Sequence, residues 1–133
     1  MMTGIGGVMK RRPSFMLAAL MAAGILAPAP AVAECYDPPG SYVVWAKCDF
    51  ARKNFEGANL KRAVLEDAVL HHSKLKGANL EKADLRGADL SNADMSGVNL
   101  KNAKLMKAIM KDTNLAGADL SGADLTGANL ERA

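Results

Sequence analysis

The 133 residues leave room for one domain at most. The formal net charge of +3 is carried by Lys10, Arg11 and Arg12; without these three, the 17 basic residues fall to the number of acidic ones, 14. A neutral remainder has no global field to steer it onto nucleic acid or an anionic membrane, so neither is an expected partner.

Residues 1–33 run from those three cations through the apolar stretch Phe15 to Leu26, then Pro28, Pro30 and the small triplet Ala31-Val32-Ala33. This is the plan of a cleavable secretory signal peptide, with cleavage expected after Ala33 and the product in the periplasm or secreted. A membrane anchor would need about 18 or more apolar residues in succession, and the two prolines interrupt the run sooner. No stable membrane span is therefore expected after processing. Arg11-Arg12 with Phe15 is a weak form of the twin-arginine signal, with Phe one place late, and the sequence leaves that route and the general secretory route both open. Glu34 stands where lipid attachment at Cys35 would need a small residue.

Two cysteines, Cys35 and Cys48, make an even count in an exported chain and are expected to form one disulfide. Closing that loop would stabilise the fold by about 3 kcal/mol in the chain-entropy account. Residues 34–47 are expected to act as an N-terminal cap, because Val43 and Trp45 already stand in the register of the repeat that follows.

From Phe50 onward every fifth residue is large and apolar: Phe55, Leu60, Leu65 and so on through Leu130, with Met95 and Met110 as the variants and no slip of register. Two places earlier the residue is usually Ala, as at Ala63, Ala83 and Ala103. An α-helix would sweep residues five apart around its whole circumference. A continuous strand would alternate them between faces, because five is odd. The chain must turn once per repeat, with the large residue and the small one before it both pointing inward. Asn or Asp before the large residue (Asn59, Asp84, Asn99) and Gly two after it (Gly57, Gly77, Gly97) fit tight corners, since Asx side chains bond nearby backbone and Gly accepts positive φ.

Charge signs fix how many repeats make one coil. Neighbouring coils lie about 4.8 Å apart, where like charges in one column are unfavourable. At a spacing of 20 residues, Glu56/Lys76, Lys61/Glu81, Glu66/Arg86, Lys74/Asp94, Glu81/Lys101, Asp84/Lys104, Lys104/Asp124, Lys111/Glu131 and Asp112/Arg132 are all opposite in sign, and only Arg62/Lys82 is alike. At 25, like pairs dominate. Four repeats per coil is the expectation.

In Ala78-Asn79-Leu80-Glu81-Lys82 and Ala118-Asp119-Leu120-Ser121-Gly122 the chain resembles the pentapeptide-repeat proteins, whose hallmark is tandem A(D/N)LXX. The resemblance covers about residues 48 to 132. It implies an all-β fold, a right-handed quadrilateral β-helix of about four coils here over residues 48–133, with the handedness resting on the family alone. It implies little about activity, because the family is functionally diverse. Some relatives mimic DNA and bind type II topoisomerases, which demands a strongly negative surface; the neutral charge and the leader both argue against that role here.

The last coil has no segment over Leu115, Leu120, Leu125 and Leu130, so an end-to-end contact with a second copy, giving a homodimer, or with another protein is expected there. No catalytic constellation is apparent, no cofactor is implied, and the chain reads as a non-enzymatic scaffold or protein-interaction module with an unknown protein partner. His71-His72, adjacent on what reads as an extended segment, should diverge and lack a third metal ligand. Lys101, Lys104, Met106, Lys107, Ile109 and Lys111 should form a basic belt with exposed apolar residues, suited to an anionic or amphipathic partner.

Overall fold

The computed structural model describes residues 35–133; the leader read over residues 1–33 lies outside them. From Trp45 to Leu130 the carbonyl of every large residue accepts a hydrogen bond from the amide three places on, at 2.9–3.3 Å. Each large residue thus opens a β-turn, and the chain changes direction once per repeat.

The third residue of each turn has positive φ, whether it is Gly77 at 66° or His72 at 59°. A single positive φ at that place is the signature of a type II turn. Glycine at Gly57, Gly77, Gly97 and Gly117, stacked at one corner, takes this conformation without steric cost. Arg52, His72, Asn92, Asp112 and Arg132, stacked at another, take it despite their side chains. Left-handed backbone costs a residue with a Cβ roughly 1–2 kcal/mol, so stacking must hold these corners in place.

What holds them is the ladder between coils. Parallel bridges join residues 20 apart in an unbroken series from Val44↔Val64 to Ile109↔Asn129. Twenty residues at five per turn close one coil with four sides. Around Leu80, the amide of Leu80 donates to Asn99 O at 2.7 Å, that of Lys82 to Lys101 O at 2.8 Å, and that of Asn79 to Ala58 O at 2.9 Å. Each side contributes one bridging residue, the one before the large residue. Turns every five residues leave no length for more.

The four inward columns can be named by their middle members: side 1 by Leu70 and Leu90, side 2 by Leu75 and Met95, side 3 by Leu80 and Leu100, side 4 by Leu65 and Leu85. All eight are buried, as are Ala63, Ala68, Ala78, Ala83 and Ala88 beside them. A fully buried Leu side chain is worth about 1.5–3 kcal/mol relative to an exposed one. The alanines let neighbouring corners close on the leucines without overpacking.

The two ends differ. At the N-terminal end Trp45 packs on Phe50 and Phe55, with ring centroids 4.6 and 5.4 Å apart, and the two phenylalanines meet edge to face at 5.5 Å. Cys48, at an inward position and buried, is joined by a disulfide to Cys35, with Cα atoms 5.6 Å apart. In the last coil Leu115, Leu120 and Leu125 are only part-buried, and Leu130 is 41% exposed.

Candidate interaction surfaces

The outward side chains come from three places in each repeat: the bridging residue on a side and the two turn residues at the corner after it. Wherever the bridging residue is Asn or Asp, its Oδ1 accepts a hydrogen bond from the amide two residues on, as Asp49 does from Ala51 at 3.0 Å and Asn79 from Glu81 at 3.0 Å. The Asx side chain satisfies the one turn amide that no neighbouring coil can reach. Ser and Thr in that turn add a hydroxyl bond to the same oxygen, as in Ser96 to Asp94 at 2.7 Å and Thr126 to Asp124 at 2.6 Å. These hydroxyl and backbone donors hold Asp94, Asp119 and Asp124 below the usual carboxylate range.

Val44, Val64, Val69, Lys74, Lys104 and Ile109 stand at the bridging place without an Asx side chain to accept from that amide.

Of the opposite-sign pairs expected at a spacing of 20, four close into ion pairs: Lys61–Glu81 at 3.1 Å, Arg86–Glu66 at 3.6 Å, Lys111–Glu131 at 3.7 Å and Arg132–Asp112 at 2.6 Å. Asp84, paired with Lys104 in the sequence reading, is instead gripped by Arg86 of its own repeat through two hydrogen bonds of 2.7 Å. Burial pushes the Asp84 carboxyl up, but the Arg86 bonds and the charges of Arg86 and Lys104 together hold it below its ordinary value. The alternation of sign identifies the column correctly, while the reach of a planar guanidinium decides which carboxylate it takes. All these are pairs on a solvated surface, and one of them, Glu66 with Arg86, borders a shallow depression.

His71 and His72 are the two turn residues of one corner and do not lie on an extended segment. The turn brings their rings edge to face with centroids 5.5 Å apart, where the sequence reading had them diverge. Asp112, in the His72 column, is engaged by Arg132. Among the described residues no group of three or more His, Cys, Asp or Glu is placed to hold a metal ion.

The six residues of the basic belt wrap around three successive corners. Lys101 lies at the corner after side 3, Lys104 on side 4, Met106 and Lys107 at the next corner, Ile109 on side 1 and Lys111 at the corner beyond. Met106 is 37% and Ile109 42% exposed. Lys111 pairs with Glu131, whereas Lys101, Lys104 and Lys107 close no ion pair within 4.0 Å among the described residues. Met106 and Lys107 also border a shallow depression of about 270 Å³ lined further by Glu66, Asp67, Arg86 and Gly87.

A second basic region, outside the belt, lies at the corner between sides 3 and 4. There the Arg62 guanidinium lies 5.6 Å from the centroid of the Tyr42 ring, and Tyr42 is 64% exposed. Lys82 follows Arg62 one coil later in the same column. The signal was present in the sequence as the single like-signed pair at a spacing of 20.

The profile of the pentapeptide repeats matches the chain in overlapping segments that together run over residues 48–133. Among solved structures, a pentapeptide repeat protein from the thylakoid lumen of Arabidopsis thaliana is similar at 33% identity and a TM-score of 0.61, over 62% of this chain and 58% of that one. Rfr23, a pentapeptide repeat protein from the cyanobacterium Cyanothece 51142, is similar at 29% identity and a TM-score of 0.53, over 67% of this chain and 57% of that one. This chain therefore spans somewhat more than half the length of either. A search of curated proteins finds no match.

Proposed function

We propose a function from one premise: the chain belongs to the pentapeptide repeat family, whose profile spans residues 48–133. The reading is an exported, non-enzymatic scaffold or protein-interaction module of about four coils, closed at its N-terminal end by residues 34–47 and the Cys35–Cys48 disulfide. One observation carries it. The ladder from Val44 to Asn129 is unbroken, so the bridging and turn residues stand outward in columns at a fixed spacing of about 4.8 Å, a regular surface that carries varied side chains over a constant core.

Location outside the cytoplasm is supported by the disulfide, since such bonds persist in oxidising compartments, and by the lumenal origin of the Arabidopsis relative. The competing reading, a DNA mimic that binds a topoisomerase, would need a column surface dominated by carboxylates. Here the carboxylates alternate with cations, as in Lys61–Glu81 and Glu66–Arg86.

The test is in-cell crosslinking with mass spectrometry on fractionated cells, comparing the native chain with a variant carrying Lys104→Glu, Lys107→Glu and Lys111→Glu. A processed, extracytoplasmic protein that captures a partner through the belt, and loses it in the variant, supports the reading. An unprocessed cytoplasmic protein crosslinked to a topoisomerase would overturn it. The same samples in light scattering decide the remaining point: the part-buried leucines of the last coil favour association with a second copy, and a strict monomer at high concentration would remove it.

A further inference from the structure

The corner between sides 3 and 4 carries a charge imbalance that the other corners do not. Lys61, Arg62, Lys82 and Lys101 stand there on three adjacent coils, with Glu81 as the one carboxylate among the turn residues of that corner. Arg62 and Lys82 share a column about one coil spacing apart, roughly 4.8 Å, an arrangement that sheets normally avoid. Both are exposed, as is Lys101.

Glu81 shows what these cations take. Its carboxylate accepts the Lys61 ammonium at 3.1 Å, and that hydrogen bond, with the charges of Lys61, Lys82 and Lys101, holds it below the usual carboxylate range. One carboxylate is shared among three ammonium groups, while Arg62 leans toward the Tyr42 ring. Among the turn residues three positive charges remain in excess on an edge barely two coil spacings long, roughly 10 Å, with Asp119 of side 3 as the next carboxylate near Lys101.

We propose that this edge binds an acidic polypeptide segment, whose carboxylates reach the cations that Glu81 leaves unneutralised. The length suits it: an extended chain repeats side chains on one face about every 6.6–6.8 Å, so a few Glu or Asp residues cover the edge. Nucleic acid fits less well. A duplex carries a charge about every 1.7 Å and rewards a broad basic surface, whereas the bridging column of side 3 beside this edge, Asn59, Asn79, Asn99 and Asp119, carries no cation. The flexible lysines serve as point charges for carboxylates, and exposed Tyr42 adds a hydroxyl at the end of the edge.

This inference rests on the interaction-module reading and sharpens it to a partner chemistry. The experiment is fluorescence anisotropy of a labelled short poly-glutamate peptide with the full processed protein at low ionic strength, repeated in salt. Saturable binding that weakens with salt is expected. Arg62→Glu with Lys82→Glu should lower affinity about tenfold or more, and Arg52→Glu with Lys74→Glu, an equal change of net charge at exposed cations of the corner after side 1 and of side 2, should leave it within about threefold. Melting by circular dichroism establishes that both variants are folded. No binding by the native protein, equal loss in both variants, or tighter binding of an oligonucleotide or polyuronate of equal charge would each overturn the proposal. A protein that still captures crosslinked partners while ignoring the peptide loses only this proposal and keeps the broader function.

Discussion

Leu80 and Leu130 occupy the same place in two different repeats, yet one is fully buried and the other 41% exposed. The difference lies in stacking. Leu80 has a coil on either side, and its amide donates to Asn99 O, while the amides of Leu115, Leu120, Leu125 and Leu130 find no acceptor among the described residues. At the opposite end, Trp45 and the disulfide cover Phe50 and Phe55 so that both remain buried. A repeat protein thus has one sequence rule and several energetic environments, set by what lies above and below each coil.

The largest effect should come from equal substitutions at unequal places. Leu80→Ala removes a fully packed side chain whose neighbours cannot collapse inward, at a cost of about 2–5 kcal/mol. Leu130→Ala should cost about 1 kcal/mol or less, because much of that surface is already in water. Urea unfolding of both variants measures the difference, and Leu80→Asp should not fold. Equal losses at the two sites would mean that the last coil is covered by something in solution and would break the comparison.

The N-terminal end supplies the next test. Replacing Cys35 and Cys48 together by Ser should cost about 3 kcal/mol in the chain-entropy account. Trp45 is the single tryptophan, so its emission reports the site directly. The variant should show red-shifted, quencher-accessible emission at denaturant concentrations where the native protein does not. If the emission is unchanged while the midpoint falls, the disulfide acts only on the unfolded chain, and covering of the aromatic cluster is owed to the packing of residues 35–47.

The repeat was legible in the sequence because packing imposes it: only inward positions at a fixed period explain apolar residues from Phe50 to Leu130 without a slip. The coil length was legible too, because like charges avoid one column, and the bridges fall at the spacing the signs selected. The corners were half legible. Glycine marks positive φ at Gly77 and Gly97, but nothing in Arg62 or Lys82 announces the same backbone, since the cost is borne by neighbouring coils and leaves no mark on residue type. The candidate surfaces were least legible. A column assignment places Asp84 opposite Lys104 but gives no rotamer, and Arg86 takes the carboxylate first. The Tyr42–Arg62 contact depends on a turn preceding the part of the chain where the repeat reads clearly.

The smallest effect concerns how the last coil is held. Arg132 donates from Nε and Nη2 to both oxygens of Asp112 on the coil before, and pairs with Glu131 beside it. The Arg132 hydrogen bond holds the Asp112 carboxyl below its ordinary value. A carboxylate whose folded value is depressed contributes fully above the usual carboxylate range, near 4, and loses that contribution as pH falls through the lower folded value. This latch should therefore be intact at neutral pH and open in acid. The amide of Asp112, which donates to Glu131 O at 2.8 Å, is the natural probe. Its interior counterpart is the amide of Lys82, at the same place in the repeat, which donates to Lys101 O at 2.8 Å. Hydrogen exchange, corrected for its intrinsic pH dependence, should show Asp112 losing protection on acidification while Lys82 keeps it. Arg132→Ala should reproduce that loss at neutral pH. Loss of both amides together would mean that the coils open as one unit, and the end would then be no weaker than the middle.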